Sequence, residues 1–114
     1  MDESFYELLE QIKIPLIIYD IESESLCFWN AEALELLGYT EATKEGVNFE
    51  KLFKDKELQT IHSMLHVLSV HNFGSIQENK VQIRRKSGRS LFTTIVAQKT
   101  SLLPEGYVLF TIND

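Results

Sequence analysis

Apolar positions follow a helical rhythm at the start and middle of this chain and a strand rhythm elsewhere. Phe5, Leu8, Leu9 and Ile12 recur at i, i+3, i+4 and i+7, one face of an amphipathic helix over residues 2–12. Ser4 followed by Glu7 fits a capping box, and Pro15 breaks the pattern. Ile14 to Tyr19 is a short, β-branched apolar run and predicts a buried strand. Asp20 to Ser25 is polar enough to be a turn, so Leu26 to Trp29 becomes the second strand of a hairpin. Residues 54–73 carry the longest helical stripe: Leu58, Ile61, Leu65 and Leu68, widened by Val67 and Val70, with Asn72-Phe73-Gly74-Ser75 as its stop. The period then shortens. Ile76 to Lys86 alternates around Val81 and Ile83, and Ser90 to Thr100 is β-branched and aromatic. Tyr107 to Ile112 predicts a last strand. Lys86-Ser87-Gly88-Arg89 and Leu103-Pro104-Glu105-Gly106 read as the turns between them.

The joints sharpen this order. Asn30 is placed to cap a short helix whose inner face is Ala33, Leu34 and Leu37, and Gly38 suits the left-handed stop after it. Between Thr40 and Phe53 one or two single turns should direct Phe49, Leu52 and Phe53 inward. Hairpin-paired strands around a central group of helices predict an α+β fold, an antiparallel sheet covered on one face.

At 114 residues the chain is one domain, able to bury a core without disulfide or metal. Hydrophobic content of 44% and charged content of 25% are ordinary globular values, so composition adds no further class. A net charge of −6 argues against nucleic acid as a partner. The lone cysteine, Cys27, lies in an apolar run and reads as buried filler in a reducing compartment. No apolar stretch is long enough for a membrane span, and the acidic N-terminus is unlike a signal peptide. A cytoplasmic domain without membrane contact is the expectation.

The order of elements, with the residues at its joints, resembles the PAS sensory domain family over nearly the whole chain. Asn30, Leu36, Gly38 and Tyr39 match the family's Asn-then-Leu-x-Gly-Tyr helix, and Asp20 stands ten residues earlier. Phe53 ends the segment of short middle helices. Arg85-Lys86-Ser87-Gly88 is similar to the family's basic Arg-Lys-Asp-Gly hairpin, and Ile112-Asn113-Asp114 to the approach to its closing Asp-Ile-Thr, of which Asp114 is the first residue. Two positions depart: Ser87 stands where Asp is usual, and Glu32 where a small residue is common. The resemblance implies a five-stranded antiparallel sheet with helices over one face, a PAS domain over 14–114, and an N-terminal amphipathic helix over 1–13. It implies a non-enzymatic sensory module of a larger signalling protein, with a histidine kinase, diguanylate cyclase or transcription regulator as the missing C-terminal output domain. It also implies a homodimer through residues 2–12 and the outer sheet face.

In such a module a ligand lies between the sheet and the middle helices. Trp29 and the phenylalanines are candidates for its walls, Leu65 lies on the facing helix, and Tyr19, His62, Thr94 and Thr111 are candidate polar contacts. The alternative for all of these is plain core. His62 and His66 share a helix face but lack a third ligand, so no metal site is expected. Haem-binding relatives take an axial histidine from this helix, which makes His62 or His66 the haem candidate. The arginine typical of the following strand is missing, since the segment reads Gln77-Glu78-Asn79-Lys80. The Asn-Cys-Arg-Phe string of flavin-binding light sensors is absent, the comparable segment being Val47-Asn48-Phe49-Glu50. Arg84, Arg85, Lys86 and Arg89 read as a solvated basic turn ahead of an anionic-partner site. Two rival readings are a cone-shaped isomerase or dehydratase, which would rest on Asp20 with His62, and a dimerisation module without a ligand.

Overall fold

The structure, a computed structural model, describes residues 3–71 and 74–114. Helix α1 (Glu3–Glu10) leads to a hairpin of β1 (Leu16–Asp20) and β2 (Ser25–Trp29). Helices α2 (Ala31–Leu37), α3 (Phe49–Leu52) and α4 (Asp55–Ser69) follow, then strands β3 (Gly74–Arg84), β4 (Ser90–Lys99) and β5 (Tyr107–Asn113). The strands form one antiparallel sheet in the order β2-β1-β5-β4-β3. The α+β architecture expected from the sequence, five antiparallel strands with helices over one face and a helix in front, is the observed one.

Alternation along the strands sorts the apolar residues onto two faces. Ile17, Tyr19, Trp29, Ile83, Ile95, Ala97, Val108, Phe110 and Ile112 meet Ala33 and Leu37 of α2, Phe49 and Leu52 of α3, and Ile61, Met64 and Leu68 of α4 in the main core. On the other face Leu16, Ile18, Leu9 and Leu103 form a smaller cluster, joined by Phe5, Tyr6, Phe28, Tyr107 and Leu109. Strand β1 is thus apolar on both sides, which is why its sequence runs without alternation.

Asn30 organises the joint between these layers. It is wholly buried, and all four of its side-chain hydrogen-bonding positions are used. Its Oδ1 accepts from the N–H of Ala33 at 2.9 Å, capping α2, and from the N–H of Leu16 at 3.0 Å at the start of β1. Its Nδ2 donates to the carbonyls of Ile12 at 3.1 Å and Ile14 at 2.9 Å, in the link from α1. Glu10, the last residue of α1, accepts from the N–H of Ala31 at 3.2 Å. At the other end of α2, Gly38 sits at φ +80°, and the N–H of Lys86 in the β3–β4 turn donates to Leu37 O at 2.8 Å. The helix of seven residues, too short to persist alone, is held at both ends by distant chain.

Several expectations need correction. Helix α1 ends at Glu10, not at residue 12: the N–H groups of Gln11 and Ile12 donate to the carbonyls of Leu8 and Leu9 at 3.1 and 3.2 Å, three residues back instead of four, and the chain then leaves the helix toward Asn30, which takes the carbonyls of Ile12 and Ile14. Its buried face is Leu9 with the half-buried Phe5 and Tyr6, while Leu8 is 60% exposed. Ser4 lies inside the first turn and not at the cap. Helix α4 ends at Ser69, and Val67 and Val70 do not widen its stripe; both face outward, and Met64 takes the inner position. The stop expected at Asn72-Phe73 lies outside the described residues. Cys27 is exposed, not buried: it lies on an edge strand where the β1–β2 register shifts between Ile18 and Tyr19. Partial desolvation by its strand neighbours, ahead of the Asp20 charge, pushes its thiol above the usual range.

Candidate functional site

The inner face of the sheet, under α3 and α4, is where side chains of different elements converge. Aromatic rings dominate it. Tyr19 of β1 stacks on Phe49 of α3 with centroids 4.5 Å apart, and Phe110 of β5 meets Phe49 edge-on at 5.3 Å. Phe53 leans against Phe49 at 5.9 Å, and Trp29 meets Tyr39 edge-on at 5.4 Å. Offset and edge-on contacts at these separations are the favourable arrangements of rings. Burial, ahead of the charges of Glu24 and Asp20, holds the Tyr19 phenol above its ordinary value, and burial does the same for Tyr39. Both are neutral hydrogen-bonding groups at physiological pH.

The six residues singled out as ligand contacts do not gather at one place. Tyr19 and Trp29 lie in the main core, and half-buried Leu65 packs against it. His62 and His66 are exposed on the outward side of α4, away from Ile61, Met64 and Leu68. Thr94 and Thr111 are on the opposite face of the sheet. Their strand neighbours Ile95 and Ile112, which are cross-strand partners, take the inward positions instead. The hydroxyl of Thr94 donates to Asn79 Oδ1 at 3.2 Å. The buried polar group of this strand is Thr93, whose hydroxyl donates to the carbonyl of Val81 at 2.8 Å. Counting the period of two from Ile95 and Ala97 finds Thr93 and excludes Thr94.

The pairing of Asp20 with His62 has no support in their surroundings. The Asp20 carboxylate accepts from the N–H of Glu22 at 3.0 Å, closing the hairpin turn. Among the described residues no group of three metal-binding side chains converges. The basic turn is only partly solvated: Lys86 and Arg89 are exposed, whereas Arg84 and Arg85 are half-buried, with their Nε atoms buried and without an acceptor. Arg85 shares a cleft with Glu32, Glu35 and Asp114, and Arg84 shares another with Glu50, Asp55 and Glu57. No described helix is long and apolar enough to cross a membrane.

No protein-family model matches the chain, and no curated protein does. Solved structures do. A domain of a sensory box sensor histidine kinase/response regulator from Geobacter sulfurreducens superposes with a TM-score of 0.69 at 18% identity, over 97% of this chain and 91% of that one. The PAS domain of an HTR-like protein from Haloarcula marismortui gives 0.72 at 17% identity, over 97% and 88%. The LOV protein of Rhodobacter sphaeroides gives 0.72 at 18% identity, over 98% of this chain and 67% of that one. Agreement of the whole sheet and helix layout at such low identity is agreement of architecture. The chain has the PAS fold.

Proposed function

We propose that this chain is a regulatory module of a larger signal-transduction protein, with a PAS core over 14–114 preceded by a helical lead over 1–13. It works as a homodimer in the cytoplasm. It passes a change in packing to an output domain of the histidine kinase, diguanylate cyclase or transcription-regulator kind, and catalyses nothing itself. The observation that carries this reading is the Asn30 joint: one buried side chain links the exit of α1, the first residue of β1 and the N-terminus of α2. A displacement of α1 therefore reaches the sheet and the helix layer together, as a relay requires. Among the structures it resembles is a domain of a sensor histidine kinase/response regulator.

The dimer surface in this reading is the outward side of α1 and its exit, where Leu8, Ile12 and Ile14 are 60%, 38% and 45% exposed. Leu8→Glu leaves the buried Leu9 in place and tests the surface without disturbing the fold. Sedimentation velocity should find a dimer for the wild type and a monomer for L8E, with unchanged circular dichroism. A dimer that survives L8E overturns the role given to α1.

A further inference from the structure

Two polar side chains fasten helices to the sheet, and they sit at opposite ends of it. Asn30 lies where β1 begins, and Leu16 there pairs with Thr111 near the end of β5. Lys99 closes β4 at the far end, next to Gln98, which pairs with Leu109 near the start of β5. Its ammonium crosses to the C-terminus of α4 and donates to the carbonyls of Leu68 at 3.3 Å and His71 at 3.0 Å. The two fastenings differ in kind. Asn30 is wholly buried, whereas Lys99 is half-buried and, among the described residues, has no ion-pair partner.

The end of α4 depends on such a hold. Neither Val70 nor His71 has a positive φ, so no left-handed residue turns the chain out of the helix. The last turn tightens instead. The N–H of Val70 donates to Val67 O at 3.4 Å and that of His71 to Leu68 O at 3.1 Å, three residues back. The carbonyl of His66, which the Val70 N–H would use in a continuing helix, accepts from the Ser69 hydroxyl at 2.6 Å. Of residues 66–71 only Leu68 is buried in the core. A cation at a helix C-terminus is favoured by the dipole and by the free carbonyls there.

From this arrangement we infer that Lys99 is a releasable latch on the C-terminal turn of α4, and that this turn opens while the Asn30 end stays shut. The inference deepens the regulatory reading above by naming the part that moves, and its role in signalling rests on that reading. Freeing Asn30 leaves four backbone groups without partners. Releasing Lys99 frees a flexible, strongly hydrated ammonium that water already reaches. Local openings come from parts of a fold with few apolar contacts and solvent-exposed hydrogen bonds, and residues 66–71 have both features. Ile61 and Met64, deep in the core, hold the rest of α4 in place. Strand β4 pairs with β3 and β5, so strain in that part of the sheet moves the Lys99 ammonium against the helix carbonyls.

Native-state hydrogen exchange of the full chain, read by NMR at increasing urea, tests the latch. In the wild type the Ser69, Val70 and His71 amides should exchange through a local opening, at rates nearly independent of urea below the midpoint. The Ala33 amide, held by Asn30, should exchange with the full urea dependence of global unfolding. Lys99→Met keeps an apolar stem and removes the charge, and should speed exchange at residues 69–71 about tenfold. Lys99→Arg keeps a cation with donors and should restore most of the protection. The inference is overturned if residues 69–71 share the urea dependence of Ala33, because the turn then opens only with the whole fold. It is also overturned if K99M leaves their rates unchanged, if K99R behaves like K99M, or if Ala33 exchanges through a local opening in the wild type. Sedimentation reads the dimer separately. Unchanged exchange in K99M with an L8E-sensitive dimer overturns the latch alone, and a dimer indifferent to L8E with K99M-sensitive exchange overturns the dimer surface alone.

Discussion

Asn30 is the residue on which most of the local order depends. Its replacement by alanine would leave two buried N–H groups and two carbonyls without partners, and unsatisfied buried groups of this kind are individually costly. Asn30→Ala should lower unfolding stability by about 3 kcal/mol, measured by urea denaturation. Asn30→Asp keeps both accepted bonds but sets a buried carboxylate oxygen against the carbonyls of Ile12 and Ile14, so at neutral pH it should be no more stable than the alanine variant and should recover when the carboxyl is protonated at low pH. Half of this was legible in the sequence: an asparagine before a short apolar stripe, with a glycine after it, is a helix cap. The other half, the hold on Ile12 and Ile14, depends on where the link from α1 passes, and no local spacing encodes that. Thr94 and Thr111 are a different case: the period of two through Ile95 and Ala97, and through Val108, Phe110 and Ile112, already turns both hydroxyls away from the main core.

Helices α1 and α4 show how a stripe read from spacing can be rotated by packing. In α1 the ladder Phe5, Leu8, Leu9, Ile12 is helical in period, yet the observed face is Phe5, Tyr6 and Leu9. The reason is the sheet beneath, where Phe28 stacks on Tyr6 with ring centroids 4.8 Å apart. A half-apolar tyrosine is a good neighbour for that ring, and Leu8 is left on the outward side of the helix, away from its own sheet. Leu9→Ala should therefore cost the monomer about 2–3 kcal/mol of stability by chemical denaturation, whereas Leu8→Ala should change the monomer's stability by no more than about 0.5 kcal/mol. In α4 the same logic separates Ile61, wholly buried, from Val67, 45% exposed. Ile61→Ala should cost about 3 kcal/mol and Val67→Ala less than about 0.5 kcal/mol. Element order, the hairpins and the α2 caps were legible because local turn chemistry and period determine them. The choice of face on an amphipathic helix was not, since valines and leucines at its margins fit either rotation until a partner surface is present.

For the molecule as a whole, Tyr19 and Tyr39 in the core and the half-buried Tyr6 contribute to its response to alkali. Tyr6, Tyr19 and Tyr39 are all held above the ordinary phenol value, mainly by desolvation. The folded form thus keeps a proton that the unfolded chain gives up. Their contribution is fully present below the unfolded phenol pKa of about 10 and is lost as pH rises through the folded value. The urea midpoint should therefore begin to fall above about pH 10, and Tyr19→Phe should flatten that part of the curve. A midpoint falling equally in Tyr19→Phe would assign the effect to other groups.

The strand order has a consequence for how the chain is made. Strand β1 is apolar on both faces and lies between β2 and β5, yet β5 is the last of the five strands to be synthesised. On the ribosome, Leu16-Ile17-Ile18-Tyr19 emerges early and waits for residues 107–113 before one of its two edges is covered. Closing that loop costs only a slowly growing entropy, so the delay is one of synthesis and not of stability. Until then both β1 and β4 present open edges, the condition under which nascent chains pair with one another. A chain cut before Tyr107 should be found in the insoluble fraction or bound to chaperones, however well its helices form.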